Sequence, residues 1–210
     1  MEIRNQSYVV YIIWLLLIGA AIFAAFSGQW ASVFVAIVTL ILTLIPLALQ
    51  DVFPIKIPVI FTTAIIVFTY TALFLGEVAG FYERYWWWDI FLHGGSAMGF
   101  GLIGFVIIFL LFGGNRFAAP PVAIAWFSFC FGTSIGSLWE IFEFLMDTTL
   151  GLNMQKSGLY DTMGDLIVDA IGSALAATSG YFYLRGRRFA LIADLIDEFV
   201  SNNRGLFKRR

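Results

Sequence analysis

Six carboxylates, Glu140, Glu143, Asp147, Asp161, Asp165 and Asp169, fall between Trp139 and Gly172 in sequence that is otherwise apolar enough to lie in a bilayer. A charged carboxylate at bilayer depth costs about 2.5–3.5 kcal/mol on insertion scales, so six of them in one short region require a compensating partner. Their spacing is helical. Glu140 and Glu143 are three apart, Glu143 and Asp147 four apart, and Asp161, Asp165 and Asp169 form a ladder in steps of four. Residues three or four apart share a helix face, and like charges on one face repel unless a cation, a proton or a cationic group sits among them. Asp89 and His93, also four apart, open an earlier apolar run. Carboxylates with one imidazole and no thiol suit a hard or borderline divalent ion such as Mg, Mn, Ca, Fe(II) or Zn. Two other readings stand beside this one: a proton-sharing network that locks helices together, and a cup for a cationic organic group. The expected metal-ligand set is Asp89, His93, Glu140, Glu143, Asp147, Asp161, Asp165 and Asp169, with a divalent metal ion as cofactor.

These residues need helices to carry them, and the composition supplies membrane helices. The chain has 210 residues, 60% of them hydrophobic and 12% charged. Soluble domains carry about 25% charged residues, so this chain cannot cover itself with polar surface. Six runs reach the roughly 20 residues that cross a bilayer: about 8–26, 30–49, 58–76, 89–112, 121–147 and 161–184. The first follows Glu2 and Arg4 like a signal anchor, but it is longer than a signal-peptide core and is kept as a helix. Between the third and fourth, Tyr82, Tyr85 and Trp86-Trp87-Trp88 mark an interfacial segment, where aromatic rings gather at headgroup level. Breaks fall at Ser27-Gly28, at Asp51 and Pro54, at Gly113-Gly114-Asn115, and over the polar loop 148–160. The fold class is all-α: a polytopic membrane helix bundle of six transmembrane helices.

Lysine and arginine set the orientation. With both termini in the cytoplasm, the inner segments carry Arg4, Lys56, Arg116, Arg185, Arg187, Arg188, Arg204, Lys208, Arg209 and Arg210, and the outer loops carry only Arg84 and Lys156. The positive-inside rule therefore predicts N-in, C-in, a multi-pass protein of the plasma (inner) membrane. In that orientation Asp89 and His93, Glu140 to Asp147, and Asp161 to Asp169 all lie toward the outer face. At 1.5 Å per residue, Asp169 sits about 12 Å below Asp161 and Glu140 about 10 Å below Asp147. Three helix ends bring ionisable groups to one leaflet at similar depth.

Small residues run deeper on the same helices: Gly132 and Gly136; Gly172, Ala176 and Gly180; and Gly95, Gly99, Ala97 and Gly101. Small residues four apart let membrane helices approach closely, so the fourth to sixth helices are expected to close beneath the carboxylates. The first three carry no charge within their spans and read as scaffold. Residues 1–188 form the transmembrane domain. Residues 189–210 form a cytoplasmic amphipathic helix and basic tail, with Phe189, Ile192, Leu195, Ile196, Phe199 and Val200 on one face and Asp194, Asp197 and Glu198 opposite. That helix either lies on the inner leaflet or offers 189–200 to a cytoplasmic partner. The bilayer is the other partner, and nothing points to nucleic acid.

Weaker signals are set aside on physical grounds. Gly132-Thr133-Ser134-Ile135-Gly136 has the G-x-S-x-G spacing of a nucleophile elbow, which needs a strand–turn–helix. Here it lies in a membrane helix, with Ser134 about 9 Å below Glu140. The aspartate ladder is half of the CDP-alcohol phosphotransferase signature without its other half. Tyr160-Asp161 and Gly164-Asp165 echo intramembrane aspartyl proteases, whose paired motifs lie on separate helices. Cys130, the single cysteine, excludes an internal disulfide and a thiolate zinc site. Asn5-Gln6-Ser7 fits a glycosylation sequon on the cytoplasmic side.

Four pieces together carry a family resemblance: Asp89-x3-His93-x-Gly95, Leu138-Trp139-Glu140-x2-Glu143-Phe144, Gly151-x3-Gln155, and Asp161-x3-Asp165-x3-Asp169-x2-Gly172. Over residues 89–175 the chain resembles the YjdF-type bacterial inner-membrane proteins, a family of unknown function loosely similar to VanZ-like proteins. The resemblance implies a small polytopic membrane protein with these acidic and histidine positions as its signature, and a link to the cell envelope or its lipids. Three functions follow as expectations. The first is a metal-dependent enzyme on an envelope or lipid-headgroup substrate, with His93 or a carboxylate as base toward a metal-activated water. The second is a cation or proton-coupled transporter, and the third a non-enzymatic subunit that recruits a partner.

Overall fold

In the computed structural model of the protein, residues 6–53, 55–112, 119–187 and 190–207 are described. Every regular element among them is helical. Six helices are long and apolar enough to cross a membrane. They are α1 (Tyr8–Phe26), α2 (Trp30–Val52), α3 (Val59–Thr69) continued by a π-helical stretch (Tyr70–Val78), α5 (Trp88–Leu111), α6 (Pro121–Leu150) and α7 (Leu159–Leu184). Short α4 (Phe81–Arg84), α8 (Ala190–Asn202) and α9 (Arg204–Phe207) complete the chain. The expected breaks at Pro54 and Gly113-Gly114-Asn115 lie outside the described residues. So do Glu2, Arg4, Asn5, Arg116, Arg188, Phe189 and the basic tail from Lys208 to Arg210.

Local chemistry explains the ends. Ser7 caps α1 by accepting a hydrogen bond from the Val9 N–H. Pro121 opens α6 at a first-turn position, where a missing N–H costs nothing. Gly151 closes α6 in the left-handed region, φ +67°, where side chains strain the backbone. The spans run slightly further than the sequence pattern indicates: α6 reaches Leu150, and α7 starts at Leu159 on Gly158. Hydrophobic periodicity loses its signal where polar residues continue a helix into the interface.

The contacts divide the chain into two compact units, residues 1–88 with 201–203, and 89–200 with 204–210. In the first, Val10, Ile13 and Leu17 of α1 pack with Ile66 of α3, and Trp14 Nε1 donates to Thr43 Oγ1 of α2 at 3.0 Å. Pro46 lies inside α2. The π-helical stretch ends at Val78, and the Tyr82 ring fills the space that a side chain at Gly76 would need. The triple tryptophan divides: Trp86 is 82% exposed, whereas Trp88 is buried edge-on to Phe81 at 4.8 Å.

In the second unit α5, α6 and α7 close through small residues. A Cβ on Gly132 would meet Ser173 of α7 and the Ala97 carbonyl and Gly101 amide of α5, so Gly132 marks a three-helix junction. Gly172 lies against the Gly94 carbonyl, Gly101 against Ala176, and Gly180 against Phe105. Ser128 Oγ donates to the Gly101 carbonyl at 2.7 Å. On α5 the stripe departs from expectation. Gly95 and Gly99 have nothing within 4 Å, and the packed positions are Gly94, Ala97, Gly101 and Gly104. Alternating steps of three and four follow a helix seam, whereas Gly95 lies about 100° around the helix from Gly94, and Gly99 about 160° from Ala97 and Gly101.

At the other end of this unit an apolar core of Phe105, Phe109, Ile124, Tyr183 and Leu184 also takes Ala193 and Ile196 of α8. The Tyr183 hydroxyl donates to Asp197 at 2.7 Å. The apolar face of α8, which the sequence assigns to a leaflet or a partner, thus packs on the chain's own bundle. A short amphipathic helix buries that stripe on whatever apolar surface is nearest, and here the surface is intramolecular.

Candidate functional site

Asp89 and His93 stand on the first turns of α5, Glu140 and Glu143 on the last turns of α6, and Asp165 and Asp169 on the first turns of α7. Chain direction alternates between successive spans, so these three ends share one side of the bundle. His93 is the hub. Its Nδ1 lies 3.4 Å from each carboxylate oxygen of Asp169. Its Nε2 lies 3.8 Å from Asp89 Oδ1 and 3.8 Å from Glu140 Oε1. Asp89, His93 and Asp165 each bring a donor atom within 4.8 Å of the other two.

Glycine creates the room. A Cβ on Gly136 would overlap the Asp169 carboxylate, so α6 carries no side chain where α7 inserts its deepest acid. Burial is graded along the site. Asp169 is 0% exposed, Asp165 and Glu140 are each 4%, and the Asp89 side chain is 32%. The cluster therefore opens at the helix ends and is sealed beneath.

The spacing between its members is loose. Well-made hydrogen bonds run about 2.7–3.2 Å, and every His93 contact is longer. Both Glu140 oxygens and Asp169 Oδ1 are buried without a hydrogen-bond partner. A buried carboxylate left this way costs several kcal/mol. A tetrahedral ion with donors at about 2.0–2.2 Å would hold them about 3.3–3.6 Å apart. The donor spacings, 3.8 Å from His93 Nε2 to Asp89 and to Glu140 and within 4.8 Å across Asp89, His93 and Asp165, exceed that figure by up to about 1 Å, a gap that a small divalent cation could draw in.

The remaining acidic positions also make local hydrogen bonds. Both oxygens of Asp147 accept backbone hydrogen bonds from the loop, Met154 N–H at 2.7 Å and Gln155 N–H at 2.9 Å. Asp161 accepts from Lys156 N–H at 3.0 Å. Glu143 accepts from Trp139 Nε1 at 2.9 Å. Gln155 donates to Thr162 at 2.7 Å, tying the same loop to α7. Replacing Asp147 with alanine should free the loop, costing about 1–3 kcal/mol of local order for two orphaned amides. Hydrogen exchange across 151–158 should accelerate.

One polar residue outside the expected set belongs to the site's floor. Ser173, four residues after Asp169, is 0% exposed and its Oγ lacks a partner. Its position on the aspartate ladder was the signal. Ser134 is exposed on the far side of α6 from Gly132 and Gly136. The G-x-S-x-G run is therefore two packing glycines around an outward serine.

Six membrane-spanning helices and a carboxylate–imidazole cluster at one end define an integral membrane protein with a polar site sunk among three helices. The chain belongs to the family described as "Predicted membrane protein (DUF2238)", which it matches over residues 8–186. It is also similar to an uncharacterized protein of Thermotoga maritima, 34% identical over 115 residues. That match covers 55% of this chain, and the chain spans 58% of the relative's length. No solved structure matches.

Proposed function

We propose that the cluster binds one divalent cation and that the protein is a metal-dependent membrane enzyme acting at the outer leaflet on a lipid headgroup or another envelope substrate. The observation that carries this reading is the pair of Glu140 oxygens, buried beside His93 without a hydrogen-bond partner. A proton-sharing network would be drawn tight, with short oxygen–oxygen contacts, and would leave no such atoms.

The residues divide by role. Asp169 accepts the Nδ1–H of His93, fixing the tautomer that turns the Nε2 lone pair toward Asp89 and Glu140. A carboxylate behind a ligating histidine is the usual second partner in such sites. His93 Nε2, Glu140 and Asp165 would be the donors, leaving the fourth tetrahedral position to a water. A bound ion would supply Lewis acidity and lower the pKa of that water. Asp89, the most exposed member, stands where a substrate enters and is placed to take a proton. The positive-inside bias puts this mouth at the outer face of the plasma membrane, with both termini cytoplasmic. The resemblance of residues 89–175 to YjdF-type and VanZ-like proteins supports an envelope setting. Transport is disfavoured because Phe105, Phe109 and Ile124 fill the bundle beyond the glycine seam.

Elemental analysis of the purified protein tests the reading. About one divalent ion per chain is expected, removable by chelator and restored by add-back. Asp169→Asn should retain the fold and weaken metal affinity about 10–100-fold, the usual cost of losing an outer partner. A wild-type protein that holds no ion after add-back sinks the proposal.

A further inference from the structure

A second polar cavity lies at the opposite end of α7. It measures about 350 Å³ and is lined by Tyr181, Phe182, Arg185 and Arg187. The backbone builds it. Gly186 adopts φ +76°. The Gly186 N–H bonds the Tyr183 carbonyl at 3.0 Å, and the Arg187 N–H bonds the Phe182 carbonyl at 2.9 Å. This pair of bonds around a left-handed glycine is the Schellman cap, which satisfies the last carbonyls of a helix. It also curls the chain so that Arg185 and Arg187 face one space. The Phe182 and Tyr183 carbonyls are thereby occupied by backbone donors rather than by the guanidiniums.

Arg187 stands over the Phe182 ring at 5.7 Å, a contact that holds a guanidinium in place. Neither arginine makes an ion pair with a described residue. Two guanidiniums without an ion pair among the described residues, beside a tyrosine, suit a phosphodiester, because the guanidinium fork matches phosphate oxygens bidentately. Depth selects the source. Arg185 is 16 residues beyond Asp169, about 24 Å along the helix, which carries it from the carboxylate site to the headgroup zone of the other leaflet. The flanking apolar surface of α7, with Leu175 57% exposed and Ile171 55%, gives acyl chains a wall to lie on.

We propose that this cavity holds the phosphate of an anionic phospholipid at the leaflet opposite the carboxylate cluster. The inference is independent of the cation reading. Native mass spectrometry of the full chain released from detergent micelles tests it, with phosphatidylglycerol and phosphatidylcholine of matched acyl chains as probes. Wild type should retain phosphatidylglycerol preferentially, and Arg185→Gln with Arg187→Gln should cut that preference by about fivefold per arginine while leaving phosphatidylcholine unchanged. Arg185→Lys with Arg187→Lys should fall between wild type and the glutamine pair, since the charge remains but the fork is lost. Excess inorganic phosphate should leave the lipid bound. The proposal is overturned if wild type shows no preference, if the glutamine pair retains it, or if free phosphate strips the lipid and so proves to be the ligand.

Discussion

Glu140→Gln combined with Asp165→Asn should abolish the proposed stoichiometric binding of a divalent cation. Both substitutions keep side-chain volume and remove a negative charge, so the packing of α6 against α7 is preserved. They take two of the three proposed donors, and the loss should exceed the roughly 10–100-fold that an outer partner costs. Stability supplies an independent readout with a distinctive sign. A cation at 1,000 times its dissociation constant stabilises the folded state by about 4.1 kcal/mol. Wild type should therefore rise in Tm on metal addition and the double variant should not. Without metal the order should invert, because two buried carboxylates, Glu140 among them without a hydrogen-bond partner, have become neutral amides. Should the double variant keep its metal, Glu140 and Asp165 are not ligands. Should it be less stable than apo wild type, a proton-sharing lock becomes the better account.

Gly172→Ala should destabilise the bundle by about 1–3 kcal/mol, the range for forcing a methyl into a packed interior. The added Cβ would meet the Gly94 carbonyl oxygen and come within 3.2 Å of the Ala97 Cβ. A backbone carbonyl cannot rotate away, so α5 and α7 must separate. At about 2–4 °C per kcal/mol for a chain of this size, Tm should fall by about 2–12 °C. Gly95→Ala is the matched control. Nothing lies within 4 Å of that site, so the change should be neutral, or stabilising by up to about 1 kcal/mol through the backbone entropy that glycine loses in a helix. Equal melting temperatures for the two variants would refute the seam.

The six spans were legible because a bilayer tolerates only long apolar helices, and charge-poor runs announce them. The convergence of Asp89, His93, Glu140, Asp165 and Asp169 was also legible, since alternating chain direction forces three helix ends to one side. Finer assignments were not. Asp147 and Asp161 share the ladder spacing of their neighbours, yet their carboxylates serve loop amides at 2.7–3.0 Å. Spacing along one helix cannot tell an acid that faces another helix from one that faces its own loop. The Gly95 and Gly99 pair failed for a related reason. Both seams on α5 have small residues at helical intervals, and only the rotation of the helix decides which one is packed. The fate of α8 was hidden too, because an apolar stripe does not name the surface it meets.

The chain's single imidazole has one more consequence. His93 is the only histidine in 210 residues, and both of its nitrogens face candidate partners. In protein freed of any purification tag, ring-15N histidine would therefore give the nuclear-magnetic-resonance signature of this one residue. Its two nitrogen frequencies distinguish which atom carries the proton and which is engaged by a cation. The polar site of this membrane protein is thus a self-contained spectroscopic probe, readable in the bilayer with no residue altered.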